Sequence, residues 1–332
     1  KAAMTDPTPG YYLPAQFAIG PDGQAPFRTH FEEIINSYAI AGATQLRLGF
    51  DWSQLQPRAG GLDGKWVEWY RDVVTAANGV GIQVWASLLE REAPHWFDDE
   101  RGFSDAKNAG RYWPRFVEMA ADSFGDLVAG WFPIDDPIGY ATRHEPDDAT
   151  RHGEMVDTMI VAWRDAWRIL RGGPPVASSF GVRMVRPTDE SQIAIDLAKR
   201  EDHIRWKTFL RGIRDGNIVI PGRADRELAD LAGSIDLVGI TFRSDLGEDQ
   251  AITDDSLRRW QERATMLIHR ANNESPDRPI AISYRSARRG VSETVSDAEV
   301  LTEAFERAVV ASVSDGIDIQ HVFTNPPRDK KN

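Results

Sequence analysis

Asp135 and Asp136 stand side by side at the end of a short apolar run, Trp131-Phe132-Pro133-Ile134, and Pro137 stops that run. Two carboxyls held close together keep one of them protonated to higher pH, which makes a usable general acid. Neighbouring side chains on a regular strand face opposite ways, so both aspartates reach one cavity only if the strand end is bulged. In the other arrangement Asp135 bonds a loop and Asp136 alone lines the pocket. Glu90 follows a second apolar run at 82–89. It can pair with Arg47 in a structural salt bridge, or serve as a second carboxyl opposite Asp136. Glu92 and Asp51 are further acids near strand ends, and Asp51, directly before Trp52, reads as a supporting partner.

These residues need elements that bring them to one end of a sheet. Eight strand-like segments appear, at 12–19, 45–52, 82–89, 130–134, 176–182, 235–242, 279–284 and 319–323. Helix-like segments alternate with them, which predicts βα units around a parallel sheet. Trp66, Trp69, Tyr70, Val73 and Val74 form one apolar stripe at helical spacing. So do Phe116, Met119 and Ala120, and then Met159, Ile160, Trp163, Trp167 and Leu170. Glycines close the helices at Gly79 to Gly81 and at Gly172-Gly173. The fold class expected is α/β, a (β/α)8 TIM barrel, as a single domain over 1–332. Residues 1–10 are expected to be a tag remnant and flexible N-terminus. Catalytic groups of such barrels sit at the C-terminal ends of the strands. The chain stops just after the eighth strand candidate, so the barrel is expected to lack or replace its last helix. A subunit or further domain would then cover that open side.

The formal charge of −12 argues against nucleic acid and anionic membrane surfaces as partners. No cysteine is present, which removes disulfides, thiolate metal sites and a Cys nucleophile. No apolar run approaches the ~20 residues of a membrane span, and a soluble cytoplasmic protein is expected. Protease, acyl-hydrolase and nucleotide-binding motifs are absent. The seven histidines are scattered, and the segment His144-Glu145-Pro146-Asp147-Asp148 reads as a solvated loop with a helix N-cap. No metal and no cofactor are expected. Eleven tryptophans suit core packing, and some, Trp52 among them, could be platforms for sugar faces.

Several segments, in order, resemble the family 1 glycoside hydrolases, the β-glucosidase family. Trp131-Phe132-Pro133-Ile134-Asp135-Asp136-Pro137 is similar to the fourth-strand motif Trp-x-Thr-x-Asn-Glu-Pro. Leu46-Arg47-Leu48-Gly49-Phe50-Asp51-Trp52 with Pro57 is similar to the second-strand pattern. Ser87-Leu88-Leu89-Glu90-Arg91-Glu92-Ala93-Pro94 looks like the third. Asp236-Leu237-Val238-Gly239-Ile240-Thr241-Phe242-Arg243 resembles the sixth, and Arg205-Trp206 before Phe209 resembles another segment. Pro279-Ile280-Ala281-Ile282-Ser283-Tyr284-Arg285 sits where Pro-Ile-x-Ile-Thr-Glu-Asn should be.

The resemblance implies a carbohydrate or glycoside ligand and a site with altered chemistry. Asp136 takes the acid/base position with a shorter arm, and Asp135 the sugar-holding Asn position. Arg47 takes the place of an Arg that positions catalytic carboxylates, and Glu90 that of a sugar-binding His. Tyr284 replaces the nucleophilic Glu, and Arg243 replaces a Tyr that supports it. A Tyr nucleophile needs its pKa of ~10 lowered, and Arg47, Arg243 and Arg285 could form the cluster that lowers it. If Glu90 instead pairs with Asp136, an inverting arrangement needs the carboxyls ~6.5–9.5 Å apart. The implied reading is a family 1-like barrel that acts on or binds a glycoside without the standard retaining double displacement. The alternative is an inactive pseudo-glycosidase serving as a binding, regulatory or structural module.

Overall fold

The computed structural model describes residues 6–20, 25–243, 252–275, 277–285 and 295–326, without the side chains of Arg243, Val295 and Ser296. Eight parallel strands form the central sheet: β1 (Thr8–Leu13), β2 (Gln45–Gly49), β3 (Gln83–Leu89), β4 (Gly130–Ile134), β5 (Phe180–Gly181), β6 (Val238–Arg243), β7 (Ile280–Arg285) and β8 (Ile319–Thr324). Their order runs from β4 through β3, β2, β1, β8, β7 and β6 to β5. Parallel bridges at Trp131↔Val176 and Asp135↔Ser179 join β4 to the β5 segment and close the ring. The result is the expected (β/α)8 barrel.

Each interval from β1 to β8 contains helix. The apolar stripes read from the sequence are the faces that turn inward. Tyr70, Val73 and Val74 are buried in the helix Gly64–Gly79, and Phe116 and Ala120 in Ala106–Phe124. Met159, Ile160, Trp163 and Leu170 are buried in Ala149–Leu170. Among the described residues, no helix is long and apolar enough to cross a membrane.

Two strand boundaries differ from expectation. β1 covers Thr8–Leu13 and not 12–19, because Pro14 ends it and Ala15–Ala18 turns into a single helical turn. Residues 8–10 therefore belong to the barrel and are not part of a flexible tail; Thr8 pairs with His321 and Gly10 with Gln45. The fifth segment, expected as a full strand over 176–182, keeps regular pairing only at Phe180–Gly181 and otherwise joins its neighbours through isolated bridges.

Inside the ring, Tyr12, Trp85, Phe132, Ala177, Leu237, Ala281 and Phe323 pack as one apolar cluster, separate from the larger core between sheet and helices. Side chains alternate across a strand. The next inward positions toward the C-terminal ends are therefore Ser87 on β3, Ser179 before β5, Thr241 on β6 and Ser283 on β7.

Candidate functional site

Arg47 is the hub of those inward positions and is fully buried. Its Nε donates to Ser87 Oγ at 2.8 Å, Nη1 to Ser283 Oγ at 2.8 Å and Nη2 to Asp135 Oδ1 at 2.7 Å. The guanidinium carbon lies 4.0 Å from the ring centres of both Tyr12 and Phe132. The Ser179 hydroxyl donates to the same Asp135 oxygen and meets Thr241 Oγ1 at 2.8 Å. A buried charge pair is tolerable only when its remaining donors and acceptors are satisfied. Here hydroxyls from three strands and two ring faces supply that.

Glu90, at the end of β3, is not tied to Arg47, contrary to the salt-bridge expectation, because Asp135 holds the guanidinium. Glu90 Oε1 accepts from the Tyr12 hydroxyl at 2.8 Å, and Oε2 from the Ala15 N–H at 2.9 Å. Burial pushes its carboxyl up to about 7, and the charge on Asp135 adds to the rise. The Ala15 N–H, Arg47 and the Tyr12 hydroxyl pull the other way. Tyr12 itself is pushed well above its ordinary range by burial, with Arg47 opposing.

Gly49 makes this tie possible. A Cβ there would lie 2.5 Å from Glu90 Oε2 and would collide with the Ala15 amide nitrogen. Gly49→Ala should therefore lower stability by about 1–3 kcal/mol, the usual range for overpacking. Urea denaturation reads it, and an unchanged midpoint would show that the β1 end yields freely.

The two adjacent aspartates divide the work in the reverse of the single-pocket arrangement considered from sequence. Asp135 points into the barrel interior. Asp136 adopts a left-handed backbone, φ 49° and ψ 70°, and caps the helix Pro137–His144. Its Oδ1 accepts from the N–H of Gly139 and of Gly181, each at 3.1 Å. Both glycines lie so close to this carboxylate that a Cβ on either would strike it. Asp136 is thus held in place by two backbone donors.

Tyr284 does not face the interior. It is one residue past the inward Ser283, so strand alternation sends its ring into the helix layer. There it stacks on Phe305 with ring centres 4.6 Å apart and meets Trp260 at 5.9 Å, with none of its surface exposed. The nucleophile role expected for it lacks access to the barrel interior. Trp52 is likewise no open platform. It starts the short helix Trp52–Leu55, capped by Asp51, and stacks on Phe116 at 4.7 Å in the outer core. Arg285 does face the mouth, 5.4 Å from the Tyr12 ring centre and 5.9 Å from that of Phe17. Arg243 ends β6, and its side chain lies outside the described residues.

Sequence reasoning missed Tyr12, Phe17, Ser87, Ser179, Thr241 and Ser283. Small hydroxyl residues recurring at inward positions of successive strands were the available signal for four of them. It also missed a cavity of about 340 Å3 between the segments that follow β3 and β4, lined by Asp98, Phe103, Tyr140, His144 and Arg151 among others. His144 and Glu145 belong to this lining, while Asp148 caps the next helix as expected. None of Arg47, Glu90, Asp135 or Asp136 lines that cavity.

No family model matches the chain. A stretch of 133 residues, 39% of the chain, is 24% identical to beta-glucosidase 17 of Arabidopsis thaliana and covers 26% of that protein. A longer stretch of 238 residues, 60% of the chain, is 19% identical to the cyanogenic beta-glucosidase of Trifolium repens and covers 56% of it. The chain thus spans between about a quarter and a little over half of these relatives' lengths. Among solved structures, a beta-glucosidase from Exiguobacterium marinum superposes with a TM-score of 0.78 at 15% identity, covering 98% of this chain and 90% of that one. A family 1 glycoside hydrolase of Thermotoga maritima, complexed with a cyclophellitol analogue, gives 0.76 at 15% identity, with 97% and 88% covered. The resemblance read from the strand motifs therefore holds: the chain has the barrel of the family 1 glycoside hydrolases and a partial, low-identity likeness to their beta-glucosidases.

Proposed function

We propose that this barrel binds a carbohydrate or glycoside at its C-terminal mouth and does not use the retaining double displacement. One observation carries the second half: the seventh-strand side chain that meets Arg47 is Ser283, and no carboxylate stands there. Retaining hydrolysis needs a nucleophilic carboxylate about 5–5.5 Å from the acid/base. A serine hydroxyl bonded to a guanidinium is neither anionic nor a good leaving group. The first half is supported by the relatives, which are beta-glucosidases, and by Thermotoga maritima neighbours solved with castanospermine and deoxynojirimycin.

Two measurements test it together. Deoxynojirimycin should raise the Tm of the chain, as any ligand of the folded state does. An activated fluorosugar, which traps glycosyl-enzyme intermediates, should leave the intact mass unchanged. A stoichiometric adduct would overturn the mechanistic half; the absence of a Tm shift with any sugar would overturn the binding half.

A hydrolytic reading rests on Glu90, whose carboxyl, pushed up to about 7 by burial, suits a general acid. Under it, turnover of an aryl glycoside would exceed blank and vanish in Glu90→Gln. Under the binding reading, both proteins match the blank.

A further inference from the structure

Among the described residues, the charges at the barrel mouth are matched with one exception. Arg47 is paired with Asp135, Glu90 is held by Tyr12 and Ala15, and Asp136 by two backbone N–H groups. Arg285, the last residue of β7, is partly buried with its guanidinium between the rings of Tyr12 and Phe17. Among the described residues it makes no hydrogen bond and no ion pair. Five N–H donors held in a planar fork and left without acceptors form a preset receptor for an oxyanion.

Phe17 adds an independent feature. It is 57% exposed and is the single aromatic among the large, exposed apolar side chains of the described residues. It belongs to the helical turn Ala15–Ala18, which the Ala15 N–H anchors to Glu90. An exposed ring beside a cation that has ring contacts but no hydrogen bond or ion pair offers an apolar face and an anion contact about 6 Å apart. A pyranose with a carboxylate on its ring carries both complements. Its C–H face packs on an aromatic ring, and its planar carboxylate matches the guanidinium fork.

We propose that the ligand of this mouth is a carboxylate-bearing sugar, a uronide, with its ring against Phe17 and its carboxylate on Arg285. The proposal rests on the carbohydrate-binding reading above and specifies its ligand class. Arg285 is then the residue that selects the acidic sugar, while Phe17 contributes to any sugar alike.

The test compares methyl glucuronide, methyl glucoside and a phosphorylated glucose by calorimetry or thermal shift on the full chain. Glucuronide should bind at least about tenfold tighter than glucoside, the effect of one charge-assisted contact. Arg285→Gln should abolish that preference by lowering glucuronide affinity toward that of glucoside. Phe17→Ala should weaken both sugars by the same factor; the side chain is exposed, so the fold should be kept, and the unfolding midpoint checks this. Equal affinities for glucuronide and glucoside, unaffected by Arg285→Gln, overturn the uronide proposal and leave the carbohydrate reading standing. Binding of the phosphorylated sugar alone also overturns it, in favour of a phosphate ligand. Binding of no sugar overturns both.

Discussion

Arg47→Met should lower the unfolding free energy by about 3–5 kcal/mol, the cost of leaving a buried charge without its partner. The guanidinium links four strands at once: its own β2, Ser87 on β3, Asp135 after β4 and Ser283 on β7. Methionine fills much of the same volume, so cavity formation contributes little and the loss of the ion pair with Asp135 dominates. Asp135 can relieve the penalty by taking a proton, so the loss should be smaller in acid than at neutral pH. Adding Asp135→Asn to Arg47→Met should recover part of the stability, since it removes the buried charge that Arg47 balanced. Urea denaturation of the two single variants and the double variant gives the coupling directly. A loss below about 1 kcal/mol for Arg47→Met would mean that the pair behaves like an exposed salt bridge, and the picture of an enclosed polar hub would fail.

Glu90 should impose the opposite pH dependence to that of an ordinary paired carboxylate. Its folded value, about 7, lies above the reference of 4.5. The native state therefore holds a proton that the unfolded state has released, and stability falls as pH rises between those values. The contribution is fully present below about 4.5 and is lost by about 7. It amounts to a few kcal/mol, at 1.36 kcal/mol per unit. Glu90→Gln keeps the shape, accepts from Ala15 and can donate to Tyr12, but does not titrate. Its stability should be nearly flat across that window where the native chain declines, so the variant gains on the native protein as pH rises. Parallel profiles for the two proteins would rule out a raised Glu90.

The barrel was legible because helical stripes and strand-like runs alternate in strict order, and because one burial pattern serves each. Strand faces were less legible. Motif matching located β7 correctly but assigned the nucleophile position to Tyr284, whereas a one-residue offset on a strand sends a side chain to the other face. The same parity explains why Ser283 reaches Arg47. Trp52 looked available because it follows a strand end, yet the helix begun by Asp51 carries it into the outer core. The division between Asp135 and Asp136 depends on a left-handed residue, which dipeptide composition does not signal. Glu90 was singled out from its position, but its partners, Tyr12 and the Ala15 amide, come from a distant strand and a backbone group. No local pattern names those.

The junction between β4 and β5 has a consequence for how this protein can change. Backbone pairing there is reduced to isolated bridges, and one of them joins Asp135 to Ser179. The Ser179 hydroxyl and Arg47 both bind the Asp135 carboxylate. The ion pair is therefore also a clasp that fastens the hoop at its thinnest point. A substitution that retuned Asp135 would loosen the circumference together with the chemistry, so this position has little freedom to drift. Innovation in ligand choice is left to residues outside the clasp, above all Phe17, Glu90 and Arg285, where a change of side chain need not reopen the ring.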